Sequence, residues 1–161
     1  MGSTARYALV TGSGRAGTSL AAFDAALLDA GIGDWNLVEL SSILPPGAEE
    51  SELPPLPPGT IVPAVVARAV GRGPVASCVC VAKLESGFGV IAERAGESDP
   101  ETVEEKARRD VEEMARARDE EIVEVKTATA FNEPEGDEWA AAVSAVVLWG
   151  RLPLGVREGG D

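Results

Sequence analysis

The chain has 161 residues, a length that predicts a single domain, residues 1–161, with room for a hydrophobic core. Its 14 Lys and Arg residues against 27 Asp and Glu residues give a net charge of −13, which argues against nucleic acid and against an anionic membrane surface as partners. Histidine is absent, which excludes Ser-His-Asp and Cys-His catalysis and most zinc sites, so we expect no metal.

The first third of the chain predicts two strands, one helix and a long loop. We expect residues 7–11 to form a strand, residues 12–17 a turn, and residues 18–30 a helix, because apolar side chains recur on one helical face from Leu20 to Leu28. A second strand follows at residues 36–40. Residues 41–59 then predict an irregular loop, since their prolines fix φ and remove amide donors.

The rest of the chain is dominated by strands. Residues 61–70, 75–84 and 88–93 predict three successive strands joined by glycine-containing turns. Ser98 or Asp99 can cap a long helix that has Pro100 at its first position. Residues 121–131 alternate as a strand, residues 139–149 favour a strand because their end is rich in valine, and residues 150–161 predict a frayed tail. The expected class is α+β with largely antiparallel sheets.

The two cysteines, Cys78 and Cys80, lie two residues apart in an apolar strand pattern. They therefore point to one face of that strand and are badly placed to bridge each other. We expect two reduced thiols in the core. No signal peptide is visible and no apolar run is long enough to span a bilayer, so we expect a cytoplasmic protein.

A glycine motif, Gly12-x-Gly14-x-x-Gly17, stands between the first predicted strand and the first predicted helix. With Glu39 about twenty residues on, it fits the dinucleotide-binding fingerprint, in which glycines let backbone approach a pyrophosphate. The prolines and the succession of hairpin strands that follow do not suit a nucleotide-binding fold. An ordinary strand-to-helix turn is the favoured interpretation, and a dinucleotide-binding protein is kept as an alternative.

Two serines, Ser41 and Ser42, end the second predicted strand and enter the proline-rich loop. A polar turn would explain the serines alone, but the two prolines that begin at Pro45 can hold the Ser41–Ser42 peptide in a restrained shape. A serine hydroxyl held over the preceding carbonyl can attack it and turn the amide into an ester. Elimination of that ester leaves dehydroalanine, which hydrolyses to a pyruvoyl group. The side chain of Asn36 is a candidate oxyanion donor for this reaction.

These residues resemble the pyruvoyl-dependent arginine decarboxylase family. The resemblance is carried by Leu20, residues 23–33, Asn36-Leu37, Ser41-Ser42-Ile43 and Pro45-Pro46. It continues through Leu56-Pro57, Gly59, Val62-Pro63, residues 89–93 and residues 140–149, and so covers about residues 7–149.

The resemblance implies a self-cleaving enzyme. Cleavage between Ser41 and Ser42 would give a β chain, residues 1–41, and an α chain, residues 42–161, that begins with a pyruvoyl group made from Ser42. That group would form a Schiff base with L-arginine and accept the electrons of decarboxylation, giving agmatine and CO2 for polyamine biosynthesis. Asn36 would assist the cleavage. Glu93 would return the proton to the substrate carbon, which requires a carboxyl group with a raised pKa.

The resemblance also implies a substrate pocket and an assembly. Asp24 would pair with the guanidinium group of a small cationic amino acid. The other implied pocket residues are Leu20, Gly33, Trp35, Ser41 and Ile43. The family fold is a four-layer α/β/β/α sandwich that assembles as trimers, or multiples of trimers, with sites between protomers.

Two residues depart from the family pattern. Arg94 follows Glu93 where an aromatic residue is expected, and it would lower the pKa of Glu93 if the two side chains met. Trp35 stands where a smaller apolar residue is common, and its ring would narrow the pocket. Both departures bear on the substrate more than on the chemistry. An uncleaved, non-catalytic relative is the remaining alternative.

Overall fold

Strands outnumber helices in the computed structural model, which describes residues 4–155. The two helices of this part are α1 (Ser19–Asp29) and α2 (Pro100–Ala117). Its strands are β1 (Ala5–Ala16), β2 (Asn36–Glu39), β3 (Ile43–Leu44), β4 (Glu49–Glu50), β5 (Ile61–Gly71), β6 (Val75–Leu84), β7 (Gly89–Gly96), β8 (Ile122–Asn132) and β9 (Trp139–Gly150).

The strands form two sheets that pack face to face. Sheet A has the order β2-β5-β9-β1-β4 and sheet B the order β3-β7-β6-β8. Most neighbouring strands are antiparallel; β1 with β4 and β2 with β5 are parallel. Helix α1 packs on the outer face of sheet A and α2 on the outer face of sheet B. The predicted α+β class is confirmed, and the layers follow the order α/β/β/α.

The core between the sheets consists of aliphatic side chains with one aromatic ring. Tyr7, Val65, Val79, Ile91 and Leu148 meet there. One buried polar contact crosses the same interface, where the hydroxyls of Ser77 and Ser144 lie 2.9 Å apart. The long strands β1, β5, β6 and β9 contribute alternate residues to this layer, so the two faces of each sheet are distinguished by the period-2 pattern of the sequence.

Two glycines of the motif, Gly12 and Gly14, lie inside a strand, so the prediction of a turn at residues 12–17 is wrong for residues 12–16. Strand β1 runs on to Ala16 and pairs with β9 over its whole length. A Cβ at Gly12 would lie 2.0 Å from the carbonyl oxygen of Ala26, and one at Gly14 would lie 2.6 Å from that of Ala22. The glycines therefore let α1 approach the sheet closely, and they do not form a phosphate-binding turn.

Helix α2 follows the sequence prediction closely. Asp99 caps it by accepting the backbone N–H of Thr102 at 2.8 Å, and Pro100 occupies its first position. Its buried stripe covers the two cysteines of β6, which are both free and buried. Burial raises the pKa of the Cys80 thiol to about 12 and also raises that of Cys78, so both are unreactive thiols, as expected.

Other boundaries differ modestly from the predictions. The loop predicted at residues 41–59 contains the two-residue strands β3 and β4, and β7 extends three residues past Glu93. The strand preference for residues 139–149 is confirmed by β9. Of the predicted tail, residues 151–155 have no regular structure, and residues 156–161 lie outside the described residues. Across residues 4–155, neither helix has the length and apolar character needed to cross a lipid bilayer.

Candidate active site

The Ser41–Ser42 peptide lies where the chain crosses from sheet A to sheet B. On one side, the backbone N–H of Leu40 donates to Ala64 O of β5 at 2.9 Å. On the other side, the Ser42 carbonyl accepts the N–H of Ile91 of β7 at 2.7 Å. Because both flanks are hydrogen-bonded to different sheets, the intervening peptide has little freedom to relax. We call residues 40–42 the crossing.

Glu93 lies beside the crossing because of the register of β7. Ile43 pairs with Val90, and Ser42 bonds to Ile91, so the chain runs antiparallel to β7 on its way out of the crossing. Glu93 comes two residues after Ile91, about 7 Å further along the strand. It projects to the same face of sheet B as Ile91, the face that meets sheet A.

A cavity of about 340 Å³ opens next to Glu93 at the edge of sheet A, beyond the end of β2. Its lining residues are Glu39, Val66, Ala67, Arg68, Glu93, Arg94 and Ala95. We call it the Glu93 cavity. Its charged groups come from β2, β5 and β7, and Glu39 forms an ion pair with Arg68 there.

The protonation of Glu93 is shifted in the direction that an acid needs. Although the residue stays exposed at the mouth of the cavity, partial burial of the carboxyl group raises the pKa of Glu93, and the neighbouring Glu39 carboxylate raises it further. Arg68 acts in the opposite direction. Arg94 takes no part, because its guanidinium donates to Asp110 of α2 at 2.5 and 2.8 Å. Successive residues of β7 thus face opposite sides, and the ionic contact that Arg94 makes is on the α2 side.

A second, apolar cavity of about 370 Å³ lies against Ser41. Its lining residues are Leu40, Ser41, Ile43, Pro45, Pro46, Pro63, Leu148, Leu152, Pro153 and Leu154. The predicted pocket residues Ser41 and Ile43 therefore lie together at this cavity, whereas Glu93 lines the other one.

The remaining predicted pocket residues lie elsewhere in the chain. Leu20 and Asp24 are one turn apart on the exposed face of α1, and Leu20 is 75% exposed. Gly33 lies after that helix, where a Cβ would come within 2.8 Å of the backbone nitrogen of Leu28. Trp35 is half-buried against the α1 side of sheet A, and its indole N–H donates to Leu56 O at 3.3 Å. In the single chain its ring thus anchors the proline-rich segment.

Asn36 also lies away from the crossing of its own chain. It begins β2, whereas the crossing follows the end of that strand, about 13 Å away for four extended residues. Its side-chain amide donates to Gly59 O at 3.0 Å. One chain therefore holds two separate groups: Ser41, Ser42, Ile43 and Glu93 at the crossing, and Leu20, Asp24, Gly33 and Asn36 around α1 and the start of β2.

Sequence reasoning missed Arg68 and gave Glu39 only a role in dinucleotide binding. Arg68 is one polar residue in an otherwise apolar strand, and this pattern indicates only that its side chain is exposed to solvent. The pair joins residues 29 positions apart in the sequence, and no local pattern indicates such a contact.

Comparison with known proteins places the whole described fold in one family. The model of the family described as pyruvoyl-dependent arginine decarboxylase matches residues 6–151. A protein of that name from Methanopyrus kandleri is 69% identical over 150 residues, which is 93% of this chain and 100% of the relative. Relatives of the same name from Methanothermobacter thermautotrophicus and Pyrococcus abyssi are 40% and 37% identical, over 88% of this chain and 95% and 92% of their own lengths.

The match begins in β1 and ends just after β9, so it includes the crossing, β7 with Glu93, and α1 with Asp24. The resemblance seen in the sequence is thereby confirmed. The chain belongs to the pyruvoyl-dependent arginine decarboxylase family.

Proposed function

We propose that this chain cleaves itself between Ser41 and Ser42, and that the product converts L-arginine to agmatine and CO2. The observation that carries the proposal is the crossing, which tethers the scissile peptide to β5 on one side and to β7 on the other. A peptide restrained at both ends is suited to attack by the Ser42 hydroxyl on the Ser41 carbonyl. Family membership supplies the reaction class.

The residues around Ser42 fit a pyruvoyl group at that position. Ser42 is half-buried, and its carbonyl oxygen, which remains in such a group, already accepts the N–H of Ile91 at 2.7 Å. Ile91 would hold the group and Glu93 would face it from the same strand. A pyruvoyl group supplies an electron sink for decarboxylation of an amino acid.

Glu93 is the proton donor in this proposal. Its raised pKa keeps the carboxyl protonated to higher pH than an ordinary glutamate, as an acid that works near neutrality requires. Because Arg94 is bound to Asp110, the departure from the family pattern next to Glu93 leaves this proton in place.

We also propose that the complete site forms between copies of this chain, in a trimer. Leu20, Leu28 and Val38 are large apolar side chains that stay exposed around α1 and β2, and β2 is an edge strand. Asp24 lies among them, and a carboxylate beside apolar side chains is stabilised by a cationic partner. A neighbouring copy that covers this surface with its own crossing would bring Asp24 and Asn36 to the Ser42 and Glu93 of that copy.

The cleavage would leave the two products interleaved. The proposed β chain contains β1, which lies between β9 and β4 of the proposed α chain in sheet A. Two free, buried thiols suit a reducing compartment, and we propose the cytoplasm.

The test replaces Ser42 by Ala and uses Ser86→Ala, in the exposed turn between β6 and β7, as the matched control. We expect the parent and the control to give two fragments by intact mass, with the larger one blocked at its N-terminus, and to release CO2 from arginine. The Ser42→Ala chain should stay whole and inactive. A parent that stays whole under the same conditions would instead support an uncleaved, non-catalytic relative.

A further inference from the structure

Two charged side chains other than Glu93 face the Glu93 cavity and remain outside the roles proposed so far. Glu39 ends β2 and Arg68 lies on β5, and they form an ion pair at the cavity wall. The fourth charged residue of the lining, Arg94, is held by Asp110 of α2. The groups that determine the charge around Glu93 are therefore Glu39 and Arg68.

Arg68 is held on two sides. Its guanidinium lies over the ring of Phe23 of α1, 4.9 Å from the ring centre, and Glu39 binds it from β2. A guanidinium that is stacked on an aromatic ring and bound by a carboxylate is restrained in position and orientation. These contacts fix Arg68 on the α1 side of sheet A, whereas Glu93 approaches from the facing sheet.

We propose that Glu39 is a positioning residue for the decarboxylation. Its carboxylate holds the Arg68 guanidinium away from the Glu93 carboxyl group, so that Glu93 retains its proton. The inference rests on the proposed function, because that function makes Glu93 the proton donor.

This arrangement determines the direction in which each of the two neighbouring charges shifts the pKa of Glu93. With Glu39 removed, the positive charge of Arg68 faces Glu93 without a partner and favours the carboxylate, so the pKa of Glu93 falls. With Arg68 removed, the unpaired Glu39 carboxylate disfavours a second negative charge, so the pKa of Glu93 rises. A merely structural pair would affect folding in both variants and would not shift one titration in opposite directions.

The test compares the pH dependence of kcat/KM for arginine in the cleaved enzyme and its variants. Activity is lost as pH rises through the pKa of the acid, so Glu39→Gln should move the basic limb to lower pH by about one unit. Arg68→Gln should move it to higher pH. Arg68→Lys keeps the positive charge and should bring the limb back toward that of the parent. Glu135→Gln, which breaks the distant Arg15–Glu135 ion pair, is the matched control and should leave the limb in place.

A second measurement separates this inference from the proposed function. Carbon NMR titration of the Glu93 carboxyl group in the uncleaved Ser42→Ala chain needs no activity. We expect Glu39→Gln and Arg68→Gln to shift that titration down and up respectively. Glu93 titrating at one pH in all three proteins would overturn the positioning role, even with an active enzyme. Opposite shifts in these Ser42→Ala proteins, together with a parent chain that never cleaves, would retain the electrostatic coupling and refute the proposed function.

Discussion

At the scale of single residues, small side chains acquire their roles from the elements that surround them. Gly12 and Gly14 belong to β1, where α1 lies so close that no Cβ fits, while Gly17 lies beyond the strand and has nothing within 4 Å of a Cβ position. The dinucleotide hypothesis treats the three glycines as one motif. The structure divides them, because only two of them contact the helix.

This division predicts different costs for the same substitution. Gly12→Ala forces a methyl group against the backbone of Ala26 and Ala30. We expect it to lower the free energy of unfolding by about 1–3 kcal/mol or more. Gly17→Ala, the matched control, should change it by less than about 0.5 kcal/mol. Denaturant unfolding of the two variants measures both. Equal losses would show that the close approach of α1 is not what requires glycine at position 12.

At the scale of elements, α2 is the clearest case of local determination. Its cap, its first-position proline and its buried stripe are all within one stretch of sequence, so the prediction needs no knowledge of the partner sheet. The hydrogen bond from the backbone N–H of Thr102, and a second one from its hydroxyl, lower the pKa of the Asp99 carboxyl group.

The lowered pKa predicts how the cap depends on pH. A group whose folded-state pKa is depressed stabilises the protein above its unfolded pKa, about 3.9 for Asp, and loses that effect as pH falls through the folded value. Asp99→Ala should therefore be less stable than the parent at neutral pH, and the difference should shrink in acid. Asp99→Asn keeps an oxygen acceptor that does not titrate, so its midpoint of denaturant unfolding should lack that acid-dependent component. If the difference in stability between Asp99→Ala and the parent is constant with pH, the charge of Asp99 does not contribute to the cap.

At the scale of the whole molecule, the separation of the candidate residues into two groups is the main finding. Asp24 and Asn36 lie around α1 and the start of β2, whereas Ser42 and Glu93 lie at the crossing. Assembly resolves this separation if each copy supplies one group to the site of its neighbour, as in a closed ring of identical interfaces.

The ring predicts complementation between two inactive variants. Asp24→Asn and Glu93→Gln should each cleave but fail to decarboxylate arginine. When they are co-expressed with different tags and purified through both, a mixed trimer has one site with both native carboxyl groups, and we expect about one third of the parent activity. Separately purified variants mixed without exchange are the control. Mixed trimers as inactive as either variant would place both residues in the site of one chain.

Prediction of the site from the sequence extended only as far as the information was local. The Ser41–Ser42 pair with its following prolines is contiguous, and it marks a candidate cleavage peptide without any structure. The tethers that restrain it, to Ala64 and Ile91, are more than twenty residues away in sequence and follow from sheet register. The ion pair of Glu39 with Arg68 is of the same kind.

The amino-acid order alone determined which chemistry is open to this protein: no histidine is present, one serine pair stands before a proline-stiffened segment, and alternating apolar residues build two sheets. Only the tertiary structure decided where the proposed chemistry would take place. Strand pairing carried the serine pair into the gap between two sheets and brought Glu93, Glu39 and Arg68 to one cavity. The physical reason is that periodicity fixes which face a side chain occupies, whereas register, which depends on contacts between distant segments, fixes which faces meet.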